Sequence, residues 1–241
     1  MYALGLVVLL VGGWEAVVQA GAVDPLVLPA PSAVAQALID DRSILAPDLL
    51  ITAEEALLGL AAAVVAGALI AVAMHLSEPV RRALYPLAVG SQALPMVVLA
   101  APLILLLGFG LAPKVVVVAL VCFFPVTVNL FDGLRAVAPE QRKLLASLHA
   151  GRGRTLALLE LPAALPQAFT GMRVAAAVSV IGAVFAEYNG SEGGLGRLIL
   201  TSQAQLESAR TFAATVLLFV LAVLLYGAFA LAERRIVDWK P

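Results

Sequence analysis

The amino-acid sequence predicts an all-α integral membrane protein with six transmembrane helices. Of its 241 residues, 62% are hydrophobic and only 13% are charged, whereas soluble domains are about half apolar and about one quarter charged. The apolar residues form runs of the length that a helix needs to cross the hydrocarbon core, about 20 residues. The alternation of apolar and polar residues that is typical of membrane β-barrel strands is absent from these runs. A bundle of membrane-spanning helices is therefore the predicted fold class.

Six apolar runs are each long enough to span a bilayer. They cover residues 2–20, 53–74, 85–107, 113–131, 170–188 and 211–232. A helix satisfies its own backbone polar groups inside the bilayer, which a single strand cannot do. The first run lacks the basic start of a secretory signal peptide and exceeds the usual length of its apolar core, so we interpret it as a membrane helix. Residues 1–241 are expected to form one transmembrane domain.

The connection between the first two runs, residues 21–52, is acidic and contains three early prolines that exclude a helix at its start. Ser32 is expected to cap a short amphipathic helix that continues to about Asp40, because a serine hydroxyl can accept a hydrogen bond from a free N–H of the first helical turn. The connection at residues 189–210 is rich in glycine and polar residues. These segments are expected to lie outside the hydrocarbon core.

The lysines and arginines lie mainly on one side of the predicted bundle. If the N-terminus is cytoplasmic, the inner connections and the C-terminus hold ten of them, Arg173 at a membrane edge is left uncounted, and the outer connections hold four: Arg42, Lys114, Arg197 and Arg210. The positive-inside rule then places both termini and the loop at residues 132–169 in the cytoplasm. The chain is expected to be a multi-pass protein of the cell (plasma or inner) membrane, with its basic loops near anionic lipid headgroups.

The 132–169 loop is predicted to form a helical elbow on the inner membrane surface. Pro139 starts a short helix, since proline is pre-set for the first helical turn. Gly151 and Gly153 interrupt the helix, and a second short helix is expected to end at Leu161, before Pro162. A basic loop that only touches lipid would satisfy the charge pattern alone. The combination of two helices, a glycine turn and Leu-Pro favours a docking element for a cytoplasmic partner.

These motifs carry a resemblance to a known family. The segment LELPAALP at residues 159–166, preceded by the elbow, resembles the EAA loop of binding-protein-dependent ABC importer permeases, and the chain is most similar to the nitrate, sulfonate and taurine branch. Further similar segments, in the same order, are LPAPSAV at 28–34, FFP at 123–125, DGLR at 132–135 and GLGRLI at 194–199. Together they cover nearly the whole chain.

The resemblance implies a type I ABC importer permease fold in which the loop supplies a coupling helix to an ATP-hydrolysing subunit. It also implies a complex of two permease copies, two ATP-binding subunits and an extracytoplasmic solute-binding protein. ATP and Mg²⁺ would be used by the partner, and no catalytic residue, cofactor or nucleic-acid partner is expected for this chain. The sequence contains no G-x-x-x-x-G-K-[ST] phosphate loop, so nucleotide binding by that route is excluded.

The elbow departs from the family pattern at two positions. Counting back from Leu161-Pro162, the family's Glu-Ala-Ala falls on residues 143–145, and its glycine falls on His149. Gly151 and Gly153 are therefore expected to supply the turn, because glycine tolerates positive φ. The predicted docking residues are Lys143, Leu144, Leu145, Leu148, His149, Ala150, Gly151, Arg152, Gly153, Leu161 and Pro162.

Polar side chains within the spans are candidates for a transport pathway, because such groups tend to face a protein interior or an aqueous cavity. The candidates are Gln92, Thr127, Asn129 and Glu187. The first three have helix-packing hydrogen bonds as an alternative role, and Glu187 has the outer membrane interface. Glu15, Glu54 and Glu55 lie near helix ends and receive no role.

Other functions are less well supported by the sequence. The single cysteine, Cys122, excludes an intrachain disulfide, and His149 has no neighbouring His or Cys, so no metal site is expected. Asp132-Gly133 followed by Arg135 resembles the start of a CDP-alcohol phosphotransferase motif, but the further aspartates of that metal-dependent enzyme are missing. A secondary transporter would normally show internal repeats, which are not visible here.

The branch transports nitrate, alkanesulfonates, taurine, riboflavin and thiamine-precursor pyrimidines. Gln92-Ala-Leu-Pro95, Lys114 and Phe124-Pro125 most resemble the permeases for pyrimidine precursors or similar vitamin-type heterocycles. The few charges in the spans also suit an uncharged heterocycle. Such a substrate is the expectation, with nitrate, taurine or alkanesulfonate, and riboflavin as alternatives.

Overall fold

The computed structural model describes residues 2–93 and 96–238, which contain eleven α-helices and no strand. The helices are α1 (Tyr2–Gln19), α2 (Pro31–Asp40), α3 (Arg42–Leu76), α4 (Glu78–Gly90), α5 (Met96–Leu107), α6 (Leu111–Arg135), α7 (Pro139–Ser147), α8 (Arg152–Thr155), α9 (Leu161–Glu187), α10 (Leu195–Ala204) and α11 (Ser208–Ile236). A 3₁₀ turn (Ser91–Ala93) follows α4, and a π turn (Leu156–Glu160) joins α8 to α9. The predicted all-α fold class is confirmed.

Four continuous helical segments in the described part are long and apolar enough to cross a membrane: α3, α6, α11 and the segment Arg152–Glu187 that combines α8, the π turn and α9. The predicted first span, residues 2–20, coincides with α1, Tyr2–Gln19. The predicted third span, 85–107, falls on α4, the 3₁₀ turn and α5, with residues 94 and 95 outside the described residues. The number of six spans stays a prediction.

The centre of the molecule is formed by α3, α6 and α9, which approach one another at glycines. A Cβ atom added to Gly59 would lie 2.3 Å from the Val118 Cβ, and one added to Gly171 would lie 2.4 Å from the Pro125 carbonyl oxygen. Small residues allow this close backbone approach between helices in lipid. Cys122 is fully buried in this core, and its thiol lies 3.3 Å from the Ala175 carbonyl oxygen.

The start of α2 differs from the prediction. Ser32 is not the N-cap; Ala30 occupies that position, and Pro31 begins the helix. Because proline suits the first helical turn, the helix starts earlier and Ser32 lies inside that turn. Its N–H and hydroxyl instead donate to the Glu15 carboxylate, at 2.9 and 2.7 Å. Glu15 therefore connects α1 to α2, a role that sequence reasoning did not assign.

Candidate functional site

In the structure, the elbow predicted within the 132–169 loop corresponds to residues 136–160, between α6 and α9, and it holds all the predicted docking residues except Leu161 and Pro162. Its first helix, α7, begins at Pro139, as predicted; Glu140 lies in the first turn, and none of the helix residues is buried. Leu144 is 63% exposed and Leu148 is 69% exposed, beside the exposed Lys143. The others are exposed (His149, Gly151, Arg152, Gly153) or half-buried (Leu145, Ala150, Leu161, Pro162). The elbow thus presents an uncovered surface of leucine and basic side chains.

The turn after α7 is made by His149 itself, which has a φ of 56°. The Ala150 N–H donates to the Leu145 carbonyl and the His149 N–H to the Ala146 carbonyl, both at 3.0 Å, which is the Schellman pattern of helix ends. The expectation that Gly151 and Gly153 supply the turn is wrong. Gly151 has a φ of −67° as the N-cap of α8, and Gly153 lies inside α8. The chain reverses directly after the last carbonyls of α7, before either glycine is reached.

Replacing His149 with glycine is expected to stabilise the end of α7 by up to about 1 kcal/mol, because an L-residue in the left-handed region carries a cost of about that size. Hydrogen exchange at the Ala150 amide should become slower. Ser147→Gly places the same new residue in a helical position and should have the opposite effect, since glycine weakens a helix interior by about 1 kcal/mol. Faster exchange in His149→Gly would contradict the assigned backbone conformation.

The second half of the elbow does not end where the prolines predicted. Instead of stopping at Leu161, the helix runs continuously from Arg152 to Glu187. Proline lacks an N–H, and its ring crowds the carbonyl four residues earlier, which for Pro162 is that of Leu158. Leu158 lies in the π turn, where the Leu161 N–H bonds to the Leu156 carbonyl, five residues back. The wider turn accommodates Pro162, so the predicted helix end is wrong.

Glu160, at the end of the elbow, connects α7 to α3, and sequence reasoning missed it. Its carboxylate is almost fully buried, with one oxygen 2.7 Å from Arg142 Nε and the other 2.8 Å from His75 Nε2. The contact with Arg142 is an ion pair, and Arg142 Nη2 donates a hydrogen bond to the Leu134 carbonyl at 2.9 Å. The sequence does contain a signal for this role, a single carboxylate inside the apolar segment LALLELP. Burying a carboxylate without partners costs free energy, so a partner elsewhere in the fold is expected.

A second polar contact joins the elbow to the end of α3. Arg152 donates to the Leu76 carbonyl at 3.1 Å, one of the terminal carbonyls that a helix leaves without a partner. His75, Arg142, Arg152 and Glu160 all line a cleft of about 390 Å³ between the elbow and α3. Nearby, hydrogen bonds from Arg81 and Arg82 lower the pKa of the exposed Glu78 to about 2.

The four pathway candidates do not share one environment. Gln92 is exposed in the 3₁₀ turn, whereas Thr127 is fully buried against Gly67 of α3. Asn129 is half-buried and donates to the Pro125 carbonyl at 2.7 Å. Glu187 is only 1% exposed. Of the four, Gln92 alone has an exposed side chain in the single chain.

Glu187 belongs to a buried polar cluster at the opposite end of the bundle from the elbow. It accepts hydrogen bonds from the Thr52 hydroxyl at 2.6 Å and the Gly196 N–H at 2.5 Å. Thr52 in turn accepts from the Leu195 N–H at 2.9 Å. These groups satisfy the free N–H groups at the start of α10. A Cβ added to Gly194 would lie 2.3 Å from the Glu187 carboxyl carbon, so the Gly-Leu-Gly segment fits this carboxylate closely.

The same end contains a buried ion pair that sequence reasoning also missed. Lys114 Nζ lies 2.6 Å from a Glu55 carboxylate oxygen and 2.5 Å from the Ser191 hydroxyl. Glu55 is 1% exposed, and the Lys114 side chain is 12% exposed. The pair connects α3 to α6 and to the loop before α10. Glu55 therefore stabilises the packing of helices at this end of the bundle. We call the region formed by this ion pair and the Glu187 cluster the loop end.

The fold and the elbow define a class of protein: a multi-pass helical membrane component that carries an exposed, partly basic helical segment at one end. A family model described as "Binding-protein-dependent transport system inner membrane component" matches residues 63–238, and the chain belongs to this family.

Two relatives and one solved structure agree with this assignment. Formylaminopyrimidine transport permease protein ThiX of Halalkalibacterium halodurans is 33% identical over 217 residues, which cover 90% of this chain and 87% of that protein. Riboflavin transport system permease protein RibX of Chloroflexus aurantiacus is 35% identical over 159 residues, 66% of this chain and 59% of that protein. The structure of the inward-facing MetNI methionine ABC transporter has a TM-score of 0.71 at 16% identity, covering 81% of this chain and 97% of that one. The chain is a permease subunit of an ABC importer with the expected fold.

Proposed function

We propose that this permease subunit moves a small solute into the cell and receives its energy from separate ATP-binding subunits that dock on the elbow. The observation that supports the proposal is the surface of α7. It exposes Leu144, Leu148 and Lys143, while Glu160 and Arg152 connect the elbow to α3 through His75 and the Leu76 carbonyl. An exposed apolar and basic surface on an anchored helix suits a protein partner.

The proposed complex contains two copies of this chain, two ATP-binding subunits and an extracytoplasmic solute-binding protein. Both termini and the elbow lie in the cytoplasm in this proposal, following the charge distribution. Closure of the ATP-binding subunits moves the two elbows together, and the spans switch from inward to outward opening. ATP and Mg²⁺ are used by the partner subunits, and this chain contributes no catalytic group.

We further propose a pyrimidine precursor of thiamine, or a similar vitamin-type heterocycle, as the solute. The name of the formylaminopyrimidine permease supports this substrate class, since that relative aligns over 90% of the chain. The low charge content also suits an uncharged solute. Riboflavin is the main alternative because of the second relative, and nitrate, taurine and alkanesulfonates remain alternatives from the branch.

The test is uptake into proteoliposomes that contain this chain, its ATP-binding subunit and its solute-binding protein. We expect ATP-dependent accumulation of labelled formylaminopyrimidine, and little accumulation of riboflavin, taurine, alkanesulfonate or nitrate. Uptake by this chain alone without ATP would overturn the ATP-driven mechanism. ATP-dependent uptake of another of these solutes would overturn the substrate assignment and leave the mechanism standing.

A matched pair of insertions tests the role of the elbow in the same vesicles. Two glycines inserted between Gly151 and Arg152 should abolish uptake while ATP hydrolysis persists. The insertion separates α7 from Arg152 and Glu160, the two residues that contact α3. The same insertion between Gly21 and Ala22, in the turn after α1, should leave the ratio of uptake to hydrolysis unchanged. Equal ratios for the two variants would remove the elbow from the mechanism.

A further inference from the structure

We propose that Glu160 is a positioning residue that holds the elbow against α3. When the elbow moves, α3 therefore moves with it. The inference rests on the proposed coupling function. Its starting point is that α7 has no buried residue. Apolar packing against the bundle therefore does not determine where α7 lies. Polar contacts then contribute to its position, and those of Glu160 are the most buried of the ones described for the elbow.

The geometry gives Glu160 a role that a surface ion pair could not have. One carboxylate oxygen lies 2.7 Å from Arg142 of α7 and the other 2.8 Å from His75 of α3. The Glu160 side chain is 8% exposed, His75 is 11% exposed and Arg142 is 35% exposed. Surface pairs contribute little, whereas a buried charge that loses its partner is strongly unfavourable. The carboxylate therefore holds α7 and α3 at a fixed separation across the cleft.

The far end of α3 shows where such a displacement would go. Asp48 accepts a hydrogen bond from the Gly194 N–H at 2.8 Å, Thr52 accepts one from Leu195, and Glu55 pairs with Lys114. One helix of 35 residues, about 50 Å long at 1.5 Å per residue, thus contacts the elbow at one end and the start of α10 at the other. We infer that α3 transmits movement of the elbow to the loop end.

The first measurement uses the full chain in lipid nanodiscs without partners. Spin labels at Ser147 of α7 and at the exposed Leu69 of α3 report the separation of the two helices by pulsed electron resonance. Glu160→Gln keeps the shape of the side chain but removes its charge, and it should broaden the distance distribution. Glu140→Gln, an exposed carboxylate on α7, should leave the distribution as in the parent. An unchanged distribution in Glu160→Gln would overturn the proposal.

A double-mutant comparison shows whether Glu160 acts through its two partners. His75→Gln and Arg142→Gln combined should broaden the distribution as much as Glu160→Gln does, and adding Glu160→Gln to them should have little further effect, because groups in one network are not additive. Full additivity would overturn the assigned partners. Thermal unfolding of each variant identifies any that fails to fold, and Glu160→Asp, which keeps the charge, serves as the second variant in that case.

The second measurement is made in the reconstituted complex. Glu160→Gln should still capture the ATP-binding subunit, but solute moved per ATP hydrolysed should fall several-fold. If Glu160→Gln broadens the distance distribution but leaves the amount of solute moved per ATP unchanged, the proposal that α3 transmits the movement is overturned. Absence of ATP-driven uptake in the parent complex would instead count against the proposed function, and the nanodisc distances would still decide the role of Glu160.

Discussion

Replacing Lys114 with methionine is expected to destabilise the protein by about 3–5 kcal/mol, the usual cost of removing one partner from a buried ion pair. The Glu55 carboxylate is 1% exposed, so the variant leaves a buried carboxylate without its ion-pair partner. The Ser191 hydroxyl loses its contact with Nζ as well. Denaturant titration of the purified protein in detergent measures the change in the free energy of unfolding. A loss below about 1 kcal/mol, the range of surface pairs, would contradict the burial of this pair.

Two further variants separate the effect of charge from the effect of packing. Combining Lys114→Met with Glu55→Gln removes both charges and should recover much of the lost stability, because no unpaired buried charge remains. Arg82→Met breaks an ion pair with Glu78 in which the arginine side chain is 78% exposed. It should change stability by less than about 1 kcal/mol. An equally large loss in Arg82→Met would indicate that burial is not the cause.

Replacing Gly171 with alanine is expected to force α6 and α9 apart. The added Cβ would lie 2.4 Å from the Pro125 carbonyl oxygen and 2.8 Å from the Asn129 Cβ. Both atoms are fixed by the backbone of α6, so no side-chain rotation relieves the clash. Adding one methyl group to a well-packed interior usually costs about 1–3 kcal/mol, and here we expect the upper part of that range. The midpoint of thermal unfolding in detergent measures the loss.

The matched control is Gly227→Ala in α11, where an added Cβ meets no atom within 4 Å. This variant should keep or slightly raise the unfolding midpoint, because alanine favours a helix over glycine by about 1 kcal/mol. Equal midpoints for the two variants would mean that α6 and α9 do not approach as closely as described.

Hydropathy predicted the long helices because the bilayer sets both the length and the apolarity of a span. It could not show where a span is interrupted. The run 85–107 is as apolar as its neighbours, yet the structure divides it between α4 and α5. In the same way, α3 begins at Arg42, well before the apolar run at residue 53, because helices extend beyond the lipid wherever local residues permit.

The elbow was predictable as an element but not in its detail. Pro139 is a local signal, and it predicts the observed start of α7. The turn at His149 was missed because glycine is the residue expected in the left-handed region. The role of Glu160 depends on His75, which lies 85 positions away in the sequence. Contacts over such a separation leave no periodicity or motif that a single sequence can reveal.

The pathway candidates illustrate the same limit. Glu187 is a polar group near the end of a predicted span, and its partner Thr52 lies 135 positions away in the sequence. Only the fold brings the two together and shows that the carboxylate is engaged with the start of α10. Residue type and depth in the membrane therefore identify polar residues worth considering, but they do not distinguish a group that faces a cavity from one that holds two helices together.

The π turn at Leu156–Glu160 determines the direction in which the elbow faces relative to α9. A π turn holds one residue more than the α-helical turn that would replace it, and one residue corresponds to about 100° of rotation around a helix axis. The number of residues in this turn thus sets the azimuth of α7 relative to α9. Two permeases with identical spans and identical elbow residues, but differing by one residue here, would point the same leucines in different directions. A difference of one residue in chain length at this turn would therefore change the direction in which the proposed docking surface faces.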